Sequence, residues 1–133
     1  LANIRRISIQ PGEVIPSNEF YDYRAKYIDN KSQIIIPADI PRSTAEEIRR
    51  YSIQAFIVLE LSGLARVDFF IDKETGQVYI NEVNTIPGFT EISMYPKLWE
   101  ASGLPYPQLL DRLIELVIER HADRQRNRTD FQP

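Results

Sequence analysis

The stretch from Leu64 to Asn84 leaves the chain few options. Leu64 to Asp72 alternates with a period of two, setting Ala65, Val67, Phe69 and Ile71 on one face and Leu64, Arg66, Asp68 and Phe70 on the other. Lys73, Glu74, Thr75 and Gly76 are turn residues, and Val78 to Asn84 alternates again, with Val78, Ile80, Glu82 and Asn84 sharing a side. Two alternating runs around a short polar turn predict a β-hairpin. With a five-residue loop from Lys73 to Gln77, Asp68 faces Glu82 and Arg66 faces Asn84. Directly opposed side chains start about 5 Å apart at Cβ, so two carboxylates and an amide oxygen converge on one surface. Facing carboxylates destabilise a sheet unless a cation neutralises them. Mg²⁺ meets that need, because it favours carboxylate oxygens and shares its shell with substrate phosphates. The other reading is a solvated polar face whose charges pair locally with Arg66. Spacing alone leaves both open.

Around the hairpin, the pattern predicts helices and short strands. Ser43 and Thr44 stand three residues before Glu46 and Glu47, two overlapping capping-box spacings, and Ala45, Ile48, Ser52, Ala55 and Leu59 recur at helical intervals until Gly63. This predicts a helix over 44–62. A short helix is expected from Tyr95-Pro96 to Ser102, stopped by Gly103, and a longer one over 108–122 with Leu109, Leu113, Leu116, Val117 and Arg120 in register. Ile4 to Ile9 and Ile34 to Ile36 read as short strands, the first ending at Pro11-Gly12 and the second at Pro37. Residues 16–31 carry Phe20, Tyr21, Tyr23 and Tyr27 with no sustained period and read as a long surface loop. Residues 123–133 read as a polar tail. The fold class is α+β.

Composition narrows the function. The 133 residues are 43% hydrophobic and 26% charged, enough for one ordinary domain. A net charge of −3 provides no general attraction to nucleic acid or to an anionic membrane. Arg124, Arg126 and Arg128, diluted by Asp123 and Asp130, read as a solvated end. No run approaches the roughly 18 apolar residues that span a bilayer, and Leu1 to Arg6 lacks the apolar middle of a signal peptide. Without cysteine there is no disulfide framework or thiolate chemistry, and His121 alone cannot build a histidine metal cluster. The chain lacks an initiating Met and opens as if mid-element, so it is expected to be a piece of a longer polypeptide.

After the hairpin comes Thr85-Ile86-Pro87-Gly88-Phe89-Thr90, a turn whose Gly lets a backbone N–H approach a ligand closely, with Ser93 just beyond. The runs GLARVDFFI and YINEVNTIPGFTEISMYPKLW, together with FYDYRAKYID, strongly resemble the C-terminal part of D-alanine:D-alanine ligases of the ATP-grasp superfamily. The resemblance extends to about Ala122. It implies the C-terminal part of an ATP-grasp domain over 1–122, a mainly antiparallel sheet with flanking helices and a lid at loop 16–31. It also implies ATP- and Mg²⁺-dependent joining of two D-alanines for peptidoglycan in the bacterial cytoplasm.

By the same resemblance, Asp68, Glu82 and Asn84 are ligands of two Mg²⁺ or Mn²⁺ ions, with Glu82 shared. Arg66 corresponds to the catalytic arginine, the Gly88 N–H to its partner in holding the oxyanion, and Tyr27 to the tyrosine that closes the lid. Ser93 and Met94 match the positions that receive the second D-alanine's carboxylate. Lys26, Phe20, Phe70 and Asn81 match positions at the nucleotide. Ligases of this family are more than twice this length. Upstream segments are therefore expected to complete the site and form a homodimer, and this chain alone is expected to be inactive. A D-alanine:D-lactate ligase is the nearest alternative, against which Tyr27 in the FYDYxxKY pattern argues. A non-catalytic module of the same shape would be expected to lose its acidic residues, and all three ligand positions are filled.

Overall fold

The computed structural model describes residues 8–15, 33–90 and 92–126. Ile4 to Ile7 and the loop 16–31, with Phe20, Lys26 and Tyr27, lie outside the described residues. Among those described, the order is β1 (Glu13–Ile15), β2 (Gln33–Ile35), α1 (Arg42–Val58), β3 (Arg66–Ile71), β4 (Val78–Asn84), α2 (Met94–Ala101) and α3 (Tyr106–Gln125). The strands form two antiparallel two-stranded sheets, β1 with β2 and β3 with β4.

Of the strand expected over Ile4 to Ile9 only Ser8 and Ile9 are described, and these two lie outside any strand; a pairing segment that the alternation did not mark follows Pro11-Gly12, with Val14 opposite Ile34. The chain can come close there because position 12 has no side chain. A Cβ on Gly12 would lie 2.8 Å from Leu98 Cδ2 and 2.9 Å from Met94 Cε of α2.

α1 begins at Arg42, so Ser43 and Thr44 lie inside its first turn rather than at its cap. The cap is Pro41, and no side chain bonds the first amides. The expected capping boxes do not form because their glutamates have other partners. Arg42 Nε donates to Glu46 Oε1 at 2.9 Å, and the Tyr51 hydroxyl donates to Glu47 Oε1 at 2.8 Å. The helix also stops short of Gly63. Glu60 takes a left-handed conformation (φ 52°), its N–H bonds Ile57 O at 3.0 Å, and the Leu61 N–H bonds Phe56 O at 3.0 Å. These two bonds close the helix in a Schellman arrangement, with Glu60 where glycine is the usual occupant.

The hairpin forms as expected in its site half, where Arg66 pairs with Asn84 and Asp68 with Glu82. Beyond Asp68 the register shifts by one, and Phe69 pairs with Ile80, leaving Asn81 as the extra residue of a β-bulge. The last pair is accordingly Ile71 with Val78, not the Asp72 with Val78 that a five-residue loop implies. The Asp72 carboxylate accepts hydrogen bonds from the Thr75 N–H at 2.7 Å, the Thr75 hydroxyl at 2.8 Å and the Glu74 N–H at 3.0 Å. The Thr75 amide and then its hydroxyl hold that carboxyl below the usual aspartate value. Gly76, at φ 71°, completes the turn in a conformation that disfavours side chains.

α2 and α3 pack together behind the site. Among the described residues the core consists of Ile48 from α1, Tyr95 from α2 and Leu109 from α3. Tyr95 contacts Trp99 edge-on with ring centroids 6.3 Å apart, and Phe89 lies 5.7 Å from Tyr95 and 5.5 Å from Tyr106. This aromatic cluster anchors the turn that contains Gly88. Leu113 and Leu116 are half-buried as expected, but Val117 is 66% exposed and belongs to an outer stripe with Ile114 and Ile118. α3 continues through Gln125, so the residues expected to open the tail are helical, and 127–133 lie outside the described residues. No helix among the described residues is long and apolar enough to cross a membrane.

The Glu60 geometry gives a direct stability test. Glu60→Gly relieves the left-handed strain, and the urea unfolding midpoint should rise by the equivalent of about 1 kcal/mol. Glu60→Val should lower it.

Candidate functional site

The site is built on the bonded half of the β3–β4 hairpin and the turn that follows. Arg66 and Asp68 stand two apart on β3, on one face, and their β4 partners Asn84 and Glu82 complete a square. Arg66 is its centre. Its Nε donates to Asp68 Oδ1 at 2.7 Å and its Nη2 to Asp68 Oδ2 at 2.8 Å, a two-pronged charge-assisted pair. Nη2 also lies 3.7 Å from Glu82 Oε1. The guanidinium thus supplies the positive charge that lets Asp68 and Glu82 face each other. With side chains only 24% and 31% exposed, the Arg66–Asp68 pair is screened less than an ordinary surface pair. Local pairing with Arg66, one of the two readings of this face, describes the side chains seen here.

The donor chemistry suits a hard divalent cation: two carboxylates and the Asn84 amide oxygen rise from adjacent positions of one sheet face. Asn84 Oδ1 accepts the Ile86 N–H at 3.1 Å, which fixes the amide as the chain leaves β4. No group of three His, Cys, Asp or Glu side chains able to hold a metal occurs among the described residues, so a cation here would draw on the amide as well. It would also share Asp68 with Arg66.

The bulge changes which neighbours face the square. Tyr79, not Ile80, pairs with Phe70, so Val78 and Ile80 leave the side assigned to them by simple alternation. Phe70 is 63% exposed and Tyr79 49% exposed. Tyr79 was not anticipated, because nothing in an alternating run marks the residue at which the ladder skips. Asn81 is the exposed bulge residue itself.

The turn brings up the remaining groups. Gly88 is pressed against Ser93, and a Cβ at position 88 would lie 3.0 Å from Ser93 Oγ. Ser93 is the N-cap of α2, yet its hydroxyl makes no bond to the helix. Position N3 is Pro96, which has no N–H, so half of the usual capping targets are missing. The hydroxyl turns to Thr90 instead. Ser93 Oγ accepts the Thr90 N–H at 3.0 Å and lies 2.8 Å from Thr90 Oγ1, while the Ser93 N–H donates to Thr90 O at 2.9 Å. Thr90 is a second residue that reading the sequence missed; the spacing Thr90-x-x-Ser93-x-x-Pro96 was its only trace. Met94 opens α2 with its side chain half-buried, and its Cε lies near the Gly12 backbone. Arg66, Asp68, Glu82, Asn84, Gly88 and Ser93 line one broad groove, as do Phe70, Asn81, Thr90 and Met94.

Residues 2–115 match the family model described as D-ala D-ala ligase C-terminus. The chain belongs to this family. The D-alanine–D-alanine ligase of Acetivibrio thermocellus is 60% identical over 123 residues, covering 92% of this chain and 33% of the relative. The solved D-alanine-D-alanine ligase from Coxiella burnetii superposes with a TM-score of 0.67 at 52% identity, covering 71% of this chain and 27% of that one. A D-Ala:D-Ser ligase from Enterococcus faecalis superposes with a TM-score of 0.70 at 39% identity, covering 83% and 32%. The fold is thus the α+β C-terminal part of an ATP-grasp ligase. The chain spans about a third of the length of the curated relatives it matches.

Removing the central guanidinium tests the electrostatics. Arg66→Met should lower the stability of the chain by on the order of 1–3 kcal/mol, because Asp68 then faces Glu82 without a counter-charge. Millimolar Mg²⁺ should restore more stability to the variant than it adds to the wild type in parallel melts.

Proposed function

We propose that this chain is the C-terminal ATP-grasp portion of an ATP-dependent ligase that joins two D-alanines into D-alanyl-D-alanine. The observation that carries the reading is the convergence of Arg66, Asp68, Glu82 and Asn84 on one face, beside the Gly88–Ser93 turn, in a chain of this family. On this reading Asp68, Glu82 and Asn84 hold Mg²⁺ or Mn²⁺. The bound ions neutralise charge on the ATP phosphates.

The chain's own groups do the rest. The carboxylate of the first D-alanine attacks the γ-phosphorus; an O–P bond forms, ADP leaves and an acyl phosphate results. The amine of the second D-alanine attacks that carbonyl, and the Arg66 guanidinium and the Gly88 N–H stabilise the oxyanion that develops. Phosphate then leaves as the peptide bond closes. Ser93 and the first amide of α2, at Met94, receive the acceptor's carboxylate. Phe70 and Asn81 lie against the nucleotide. Lys26, Phe20 and Tyr27 belong to the lid that keeps water from the acyl phosphate, which hydrolyses when exposed.

The remainder of the ligase supplies the first D-alanine's site, the rest of the nucleotide pocket and a homodimer contact. The open apolar groups here support a covered surface in that larger protein: Ile86 is 88% exposed and Ile92 70% exposed beside the turn. Peptidoglycan synthesis in the bacterial cytoplasm is the role that follows from the product.

The test is dipeptide formation by the full-length polypeptide that contains this chain, supplied with ATP, Mg²⁺ and D-alanine. D-Alanyl-D-alanine and equimolar phosphate are expected, with D-alanine preferred to D-lactate and D-serine as acceptor. Glu82→Gln should lower kcat by about 100-fold or more, and the 133 residues alone should release no phosphate above background. An unimpaired Glu82→Gln enzyme, or turnover by this chain alone, would contradict the reading.

A further inference from the structure

We infer that Thr90 is a positioning residue that, by donating its hydroxyl proton to Ser93, leaves the Ser93 O–H to donate to the acceptor's carboxylate. The role deepens the proposed reading of Ser93 and presupposes it. A serine hydroxyl has one proton to give and two lone pairs to fill. The Thr90 N–H fills one of them at 3.0 Å. Across the 2.8 Å contact between the two hydroxyls, either can be the donor. If Ser93 donated to Thr90, its remaining capacity would be a lone pair, which repels a carboxylate oxygen. If Thr90 donates to Ser93, both lone pairs of Ser93 are filled and its single O–H is left for an outside acceptor.

A carboxylate only accepts, so it selects the second arrangement. The Thr90 hydroxyl, by donating, also polarises the Ser93 O–H and strengthens the bond it makes to an anion. Two features keep Ser93 available for this. Pro96 withholds the N3 amide that would compete for the hydroxyl as a helix cap, and with glycine at position 88 no Cβ crowds Ser93 Oγ, which one there would approach to 3.0 Å. An ammonium or amide donor at the same place would need the opposite polarity and would lose the Thr90 contribution. The Thr90–Ser93 pair therefore selects the carboxylate end of the acceptor and fixes which way round it enters, with its amine toward the reacting carbonyl.

The experiment is steady-state kinetics of the full-length ligase carrying Thr90→Val or Thr90→Ser, with melting temperatures in parallel. Valine keeps the backbone N–H and the size but removes the hydroxyl. Thr90→Val should raise the KM for the acceptor D-alanine about 3–10-fold, with kcat at saturating acceptor, the KM for ATP and the melting temperature near wild type. Thr90→Ser, which restores the hydroxyl, should return the acceptor KM to near the wild-type value. An unchanged acceptor KM in Thr90→Val, a loss carried by kcat and melting temperature together, or no rescue in Thr90→Ser would overturn this role while leaving the ligase reading intact. A wild-type enzyme that forms no dipeptide would overturn both.

Discussion

Everything at the site depends on two carboxylates being held face to face across a hairpin. Asp68 and Glu82 occupy directly opposed positions of β3 and β4, an arrangement that a sheet of this size tolerates only with positive charge between them. Arg66 supplies it, gripping Asp68 through two short bonds and reaching toward Glu82. The same side chain has a second use in the proposed reaction, where the oxyanion needs a cation. A guanidinium has five N–H donors, and its contact to Asp68 uses Nε and Nη2. A divalent cation held by the carboxylates would add positive charge to the same face, sharing Asp68 with Arg66.

The second half of the site depends on crowding rather than charge. The Gly88 turn is anchored by Phe89 against Tyr95 and Tyr106, and a Cβ at position 88 would lie 3.0 Å from Ser93 Oγ, a tight contact. Ser93 loses half its capping targets to Pro96 and turns to Thr90. A helix start that elsewhere would cap itself with its serine therefore has that hydroxyl bonded to Thr90, both residues lining the groove.

Much of this was legible before any coordinates. Alternation located both strands of the hairpin, and the expected pairing of Asp68 with Glu82 and Arg66 with Asn84 held in the structure, although the register at the five-residue loop that went with it did not. What stayed hidden has physical reasons. An asparagine at a bulge looks like any polar residue of an alternating strand, so the skip at Asn81, and the turning of Tyr79 rather than Ile80 toward the square, carried no signal. Gly63 was the obvious stop for α1, but Glu60 entered the left-handed region first because two backbone bonds could be closed there. Val117 fits the inner stripe of α3 by composition and faces outward because α3 carries two apolar stripes, one turned toward α2 and one open. The roles of Phe20, Lys26 and Tyr27 were legible only through resemblance.

On the proposed reading, the Asp68–Glu82–Asn84 face would hold divalent cations against a nucleoside triphosphate. Crystals of the full-length ligase grown with Mn²⁺ and a non-hydrolysable ATP analogue would test it most directly, through anomalous scattering at the manganese edge. Manganese peaks within bonding distance of the Asp68, Glu82 and Asn84 oxygens are the predicted result. Manganese bound away from these oxygens, or nucleotide bound with no manganese at them, would contradict it.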